Sequence, residues 1–378
     1  MTDLRRIRVD QVGSFLRPET LKSAFLAHAR GTLSMEALVA KQDEAIRALV
    51  AKQEALGLPF VTDGEFCRLN WQVSFSDVAG WDLWAGSWAQ FLKSPSNLGE
   101  GETPNEKGTD AVLSYRTPAT GKLRLVESFP AKEAAFLRSV TTLPAKITLM
   151  GPDRVCQMCD VPGSAPFYAD ADAFLADVVA IQHAMVTELA EAGVAYVQID
   201  EPSFTGYVDP ATLARMEERG EDPLANLNRA IAADNAVIAG LPSGVTTGLH
   251  ICRGNRASMW HREGSYDAIA EAVFGGLQHD RLLLEYDTSR AGGFEPLRFV
   301  PKGRMVVLGL VTTKTGEVET VEDLLRRLEE AGRFIDLDQV ALSPQCGFAS
   351  GIGGNMLPES AQWRKMEVIL ETARRLWG

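Results

Sequence analysis

The chain has 378 residues, 46% hydrophobic and 23% charged, with a formal net charge of −12. That is the composition of a soluble globular protein, and the lack of any Lys/Arg-rich run argues against nucleic acid as a partner. With no run of about 18 apolar residues, no apolar core in the N-terminal MTDLRRIRVDQ and only five widely spaced cysteines, neither a membrane span, a signal peptide nor a disulfide framework is expected, and a cytoplasmic, reducing location is the default.

In chain order, short apolar runs read as strands at Ile7–Gly13, Pro59–Thr62, Lys146–Met150, Ala195–Ile199, Gly244–Leu249, Leu282–Tyr286, Met305–Leu310 and Gln339–Leu342. Apolar spacings of three and four predict helices over Met35–Leu56, Ala169–Glu191, Pro223–Ala239, Tyr266–Leu277, Val321–Ala331 and Ala361–Leu376. Alternation of the two implies parallel strands joined by right-handed crossovers, and eight such units suggest an α/β fold of the (β/α)8 TIM-barrel type, a length that one domain can span. Residues 82–130, with Gly, Pro, Ser and Asn clusters, break the rhythm. They are too long for a plain loop and read as an inserted excursion, a hairpin with a helical piece lying over the barrel mouth.

Polar residues gather at the C-terminal ends of these strands, the face that builds active sites in barrels. Val12-Gly13-Ser14-Phe15 follows the first, Thr62-Asp63-Gly64-Glu65 the second, Gln198-Ile199-Asp200-Glu201 the fourth, His250-Ile251-Cys252-Arg253 the fifth, Glu285-Tyr286-Asp287 the sixth, Thr312-Thr313-Lys314 the seventh and Ser343-Pro344-Gln345-Cys346 the eighth. His250 and Cys252, two apart on a strand, point to one side and can reach one ion. Alone, the pair is more readily a packed cysteine beside a hydrogen-bonded histidine. Cys346 and an acidic residue from the sixth strand, Glu285 or Asp287, would complete a site assembled by the fold, and soft thiolates with an imidazole favour zinc. Zinc activates a thiol as its thiolate, which points to thiol alkylation.

Glu65, Asp200 and Glu201 face the presumed cleft as caps or as anchors for a substrate ammonium group. Ser14 after Gly13 offers a hydroxyl and a backbone N–H to a carboxylate. Arg17, Arg68, Arg253 and Arg290 would bind an anionic substrate tail or pair with the carboxylates. Cys156-Gln157-Met158-Cys159 lacks a second CxxC and a redox context and reads as structural; Cys67 reads as packing.

At DQVGSFLRP, VTDGEF, QIDEP, HICRGN, LLEYD and SPQCGF, in that order, the chain resembles the cobalamin-independent methionine synthase family, specifically short members without the N-terminal barrel. The resemblance implies a (β/α)8 barrel, zinc ligands at His250, Cys252, Glu285 and Cys346, a homocysteine carboxylate at Ser14 and its amine at Glu65 and Asp200. It implies a homocysteine S-methyltransferase in methionine biosynthesis, with a zinc-bound thiolate attacking a methyl donor. The second barrel that helps full-length enzymes hold folate is not expected, since a chain of this length has no room for it. The tryptophan those enzymes place against the pterin has no counterpart in residues 147–152, and Lys314 stands where they carry a histidine thought to assist proton transfer. Lys314 is therefore a candidate acid, and the donor, or a partner protein delivering the methyl group, is left open. An epoxyalkane–coenzyme M transferase-like activity is the alternative, and a non-catalytic zinc-binding protein a third.

Overall fold

A computed structural model describes residues 3–82, Lys107 and residues 116–378. Two short strands, β1 (Val78–Ala79) and β2 (Arg124–Leu125), pair antiparallel at the root of the predicted excursion. Apart from Lys107, the interior of that excursion lies outside the described residues. The main sheet has six parallel strands in sequential order: β3 (Lys146–Met150), β4 (Tyr196–Asp200), β5 (Thr246–Ile251), β6 (Arg281–Glu285), β7 (Met305–Val311) and β8 (Val340–Pro344). Every residue of these strands is buried. This is why they read as unbroken apolar runs: parallel strands in such folds are covered on both faces.

The fold is of the (β/α)8 type, but its first two strand positions are reduced to single parallel bridges, Val9 with Leu342 of β8 and Val61 with Ala145 just before β3. Side chains replace the ladder between these two segments. The Gln53 amide receives the Thr62 backbone N–H (3.0 Å) and donates to the Thr62 carbonyl (2.8 Å), as a neighbouring strand would. Thr62 Oγ1 donates to the Gly13 carbonyl at 2.8 Å. Gly13 itself has φ +152°, and a Cβ there would come 2.8 Å from Thr148 Cγ2, so the first segment turns where only glycine fits. These polar substitutes explain why regular strand structure stops short at a position where sequence pattern predicts it.

Helices cover the sheet. Helix α2 (Met35–Leu56), after α1 (Glu19–Ala29), is capped by Ser34 Oγ accepting from Ala37 N–H and is closed by Gly57 at φ 80°. Among the described residues the other α-helices are α3 (Phe129–Val140), α4 (Pro152–Gln157), α5 (Ala171–Glu191), α6 (Pro210–Glu218), α7 (Pro223–Val237), α8 (Ala270–Gly276), α9 (Val321–Ala331) and α10 (Glu359–Trp377). By length and composition α5 could cross a membrane, but Phe174, Leu175, Val178, Ile181, Met185, Val186 and Leu189 form a stripe buried in the core, as on an ordinary covering helix. The CxxC pair is split: Cys156 Sγ contacts the Ala171 carbonyl (3.8 Å) and Cys159 Sγ the Ser164 hydroxyl (3.5 Å). Cys67 packs half-buried against the core.

The N-terminal end of the barrel is closed by charge. Asp10 is fully buried and accepts from Lys146 Nζ (2.7 Å), Gln11 N–H (2.9 Å), Tyr196 OH (2.9 Å) and Arg281 Nε (3.0 Å). Against the burial that opposes it, Lys146 and Arg281 hold its carboxyl below the usual range. Asp10→Asn leaves two buried cations without their counter-charge and is expected to lower the unfolding free energy by about 3–5 kcal/mol, read as a lower urea midpoint at unchanged slope.

His279, in the loop before β6, is fully buried with neither ring nitrogen hydrogen-bonded. Burial and then Arg304 pull it down to about 3. The unfolded chain protonates this ring near pH 6.5 whereas the folded one refuses the proton, so stability declines as pH falls from about 6.5 toward about 3. His279→Leu is expected to flatten that decline, measured as the difference between urea midpoints at about pH 7 and about pH 5.

Candidate active site

The C-terminal strand ends surround a cavity of about 110 Å³ lined among others by Ser14, Glu65, Arg154, Asp200, His250, Cys252, Arg262 and Cys346. His250 lies within β5, Cys252 one residue beyond it, and Cys346 two residues beyond β8. A register shift between Gly309 and Val311, opposite the end of β8, bends the backbone there. The potential ligand atoms of His250, Cys252 and Cys346 all lie within 4.8 Å of one another, and all three residues are buried. The hydrogen bond between the two thiols, together with His250, pushes the Cys252 thiol well below the ordinary range. The same bond and burial push Cys346 well above it. Both His250 ring nitrogens are buried without a hydrogen-bond partner. An imidazole left unsatisfied beside two thiols is the donor set of a zinc site, and the residues fit that ion.

Glu285 is not part of this three-residue cluster. Its Oε2 accepts from Arg253 N–H (2.7 Å) and its Oε1 lies 3.4 Å from Arg290. Burial opposes its ionisation, but Lys314 and Arg253 hold the carboxyl below its usual range, and its charge acts on His250, Cys252 and Cys346. It is an ionised carboxylate beside the cluster. Asp287 is turned to Arg290 at 3.6 Å.

Glu65 sits at φ 60°, a backbone conformation that costs a non-glycine residue about 1 kcal/mol or more. Asp63 Oδ1 accepts its N–H (2.9 Å), and Arg17 Nη2 donates to its carbonyl (2.7 Å). Its Oε1 accepts from Thr148 Oγ1 (2.9 Å) while Oε2 is buried without a partner. Burial raises its pKa. Asp200, at the end of β4, accepts from Gln198 Nε2 at 2.7 Å and is pushed up to about 7 by burial, with Glu65 adding to the rise. Two desolvated carboxylates facing one cavity form a site for a cation. Ser14 Oγ accepts from Ala349 N–H (3.2 Å) and packs so closely on Gly347 that a Cβ there would meet it at 2.0 Å. Lys314 is buried and donates to the Gly254 carbonyl (3.0 Å) and Asn255 Oδ1 (3.1 Å).

Several cleft candidates are structural instead. Glu201 caps the turns after β3 and β4, accepting from Asp153, Arg154 and Ser203 N–H. Arg17 ties four backbone carbonyls, Arg68 makes a bidentate pair with Glu133 (2.8 and 2.6 Å), and Arg253 bonds the Gly264 and Glu285 carbonyls. Sequence reasoning missed Arg154 and Arg262, which do line the cavity. The signal available for Arg154 was its place four residues past the C-terminal end of β3, in the first turn of α4.

Fold and site together define a (β/α)8 protein with a sulfur- and imidazole-rich cluster at the barrel mouth. The family model described as cobalamin-independent synthase, catalytic domain, matches residues 112–357. The chain is 36% identical over 377 residues to YxjG, an uncharacterised Bacillus subtilis protein, covering 98% of this chain and 94% of that one. It is 22% identical over 340 residues to a methionine synthase of Pyrococcus abyssi, covering 89% and 84%. Among solved structures, a Listeria monocytogenes protein described as a candidate vitamin-B12-independent methionine synthase superposes with a TM-score of 0.76 at 26% identity, over 100% of both chains. A Shewanella B12-independent methionine synthase in complex with selenomethionine superposes at 0.69, with 21% identity over 98% and 97%. The chain belongs to the cobalamin-independent methionine synthase family, a family of methyltransferases.

If His250, Cys252 and Cys346 hold zinc, Cys346→Ser removes a soft donor. Metal analysis of the purified variant is expected to give well below one zinc per chain, with Glu285→Gln losing about 10–100-fold in affinity. Stoichiometric zinc in Cys346→Ser refutes the assignment.

Proposed function

We propose that the chain is a zinc-dependent thiol methyltransferase that converts homocysteine to methionine. The observation that carries this reading is the juxtaposition, in one cavity, of the His250–Cys252–Cys346 cluster with the spare carboxylate oxygens of Glu65 and Asp200. His250, Cys252 and Cys346 would hold the ion, with Glu285 as fourth donor once it leaves Arg253 N–H; zinc would supply the acidity that lets a substrate thiol ionise near neutral pH.

The remaining work falls to the chain's own groups. Glu65 and Asp200 take the ammonium group of the amino acid, which returns to both carboxylates the counter-charge that burial denies them. Ser14 faces the carboxylate. Fixing the amino acid at both ends leaves the sulfur little freedom, which lowers the entropic part of the barrier to attack on the methyl carbon. Lys314, held by Gly254 and Asn255, steadies the negative charge around Glu285 and is the candidate proton donor to the departing group. A thiol bearing only a sulfonate, as in the coenzyme M transferases, leaves Glu65 and Asp200 facing no cation, so the amino-acid thiol is favoured.

Calorimetric titration of zinc-loaded protein with homocysteine, repeated in buffers of different ionisation enthalpy, is expected to show binding with release of a proton, and coenzyme M is expected to bind more weakly. Asp200→Asn and Glu65→Gln are each expected to weaken homocysteine binding by about 10–100-fold. Absence of homocysteine binding to zinc-loaded protein refutes the reading.

A further inference from the structure

Strands β3 and β4 send alternate side chains into the barrel, and their pairing stacks these in layers. Lys146 lies beside Tyr196, Thr148 beside Gln198 and Met150 beside Asp200. The lowest pair is spent on Asp10. The next pair, Thr148 and Gln198, is also polar and is 3% and 0% exposed. Thr148 Oγ1 donates to Glu65 Oε1 (2.9 Å) and accepts from Arg68 Nη1 (3.0 Å). Gln198 Nε2 donates to Asp200 Oδ1 (2.7 Å) and to the Val12 carbonyl (2.7 Å). Each therefore engages one oxygen of one cavity carboxylate.

Both residues also reach the first segment. Gln198 holds the carbonyl of Val12, two residues before Ser14. Thr148 Cγ2 packs on Gly13, where an added Cβ would meet it at 2.8 Å and Glu65 Oε1 at 3.1 Å. The groups assigned above to the two ends of an amino acid, Glu65 and Asp200 at one and Ser14 at the other, are thus held to one another through two neutral side chains. An apolar residue in either place would need no partner, whereas Gln198 Oε1 stays buried without one, at a cost in stability. What the polarity achieves is the aim of the carboxylates. With one oxygen of each engaged, the other is left for a ligand: Glu65 Oε2 has no partner, and Asp200 lines the cavity.

We propose that Thr148 and Gln198 are positioning residues that fix the span between the ammonium and carboxylate ends of the site, making it selective for a thiol that carries both groups on one carbon. Neither residue lines the cavity, so both act through the carboxylates they hold. Carboxylates already aimed need little reordering when an ammonium group arrives, and its charge-assisted hydrogen bonds keep most of their strength. A thiol with a carboxylate alone gains nothing from that aim. The span rests on the proposed homocysteine site, and the experiment below separates the two.

Homocysteine and 4-mercaptobutyrate differ only in the ammonium group, so the ratio of their affinities for the full zinc-loaded chain reads what that group contributes. In calorimetric titrations the ratio is expected to fall about tenfold or more in Thr148→Val and in Gln198→Leu. It is expected to stay within about threefold of wild type in Thr148→Ser, which keeps the hydroxyl. Melting temperature and zinc content of each variant control for folding. A merely structural role weakens both thiols alike, so an unchanged ratio in either Thr148→Val or Gln198→Leu, folded and zinc-loaded, overturns the positioning role. A ratio that falls as far in Thr148→Ser as in Thr148→Val overturns it too. Wild-type protein that binds the two thiols equally, or binds neither, overturns instead the homocysteine reading, and the selectivity with it.

Discussion

Closing a barrel whose first two positions are barely strands depends on Asp10. Six strands make an open sheet with two edges, β3 and β8, and an edge exposes unpaired N–H and C=O groups. Segment one is drawn into the gap by one carboxylate that meets the first residues of β3, β4 and β6, namely Lys146, Tyr196 and Arg281. Arg281 then reaches the carbonyls of Leu4, Arg5 and Ile7 and fixes the chain entering that segment. Beside this ionic floor sits an apolar cluster of Val12, Leu283, Met305, Val307 and Ala341. Ion pairs this deep seldom add net stability over apolar packing, and their use is to specify one arrangement. Here the arrangement specified is the register of segment one, which carries Ser14 to the opposite end.

That register places unlike electrostatics around one mouth. The floor of the cavity is acidic and sulfur-rich: Glu65, Asp200, Cys252 and Cys346. The rim on the β4 side is cationic, through Arg154 and Arg262. Among the described residues no ion pair joins floor to rim. Glu65 is paired laterally with Arg68 at 3.6 Å, and Arg68 is already committed to Glu133, so the inward oxygen of Glu65 stays free. A cavity that keeps charges of both signs desolvated and separate is arranged for a ligand, or two ligands, with complementary ends.

Strands β3 to β8 were legible because burial on both faces leaves a bare apolar run, and the run needs no partner information to be seen. The first two segments keep only single parallel bridges where a full strand is expected, because Gln53 and Thr62 do there what a ladder does elsewhere; an amide reaching across from a helix leaves no periodic mark. The ligand trio was legible because His250 and Cys252 keep strand spacing and Cys346 falls at an equivalent strand end. Glu285 stays beside the trio, held by the very backbone N–H, that of Arg253, which follows Cys252. For the remaining charged residues, sequence position gave proximity to the mouth but not satisfaction. Glu201 and Asp200 are adjacent, yet one turns out to cap two helical turns and the other enters the cavity. Arg68 and Arg154 both follow strand ends, yet only one has a carboxylate waiting for it. Whether a buried polar group is used up by the protein is a property of the three-dimensional partners alone.

The same distinction bears on how rigid the site is. Glu65 holds a left-handed backbone conformation, and the groups that hold it there are the ones that looked like substrate binders: Arg17 grips the carbonyls of Glu65, Arg68, Ala349 and Gly351 at once. One side chain therefore locks the loop after segment two to the loop after β8, which carries Gly347 and Cys346. Asn255 continues the lock from the β5 loop, donating to the Gly347 carbonyl (2.6 Å) while accepting from Lys314 and Asn355. The loops bearing Cys252, Cys346, Ser14 and Glu65 are thus cross-tied by side chains that never need to touch a substrate. Preorganisation of this kind makes a small number of polar contacts effective, since little ordering remains to be done when a ligand arrives. The arginines of the β4 rim stand outside this web: Arg262 is tied to the Pro202 carbonyl, and the Arg154 guanidinium lines the cavity.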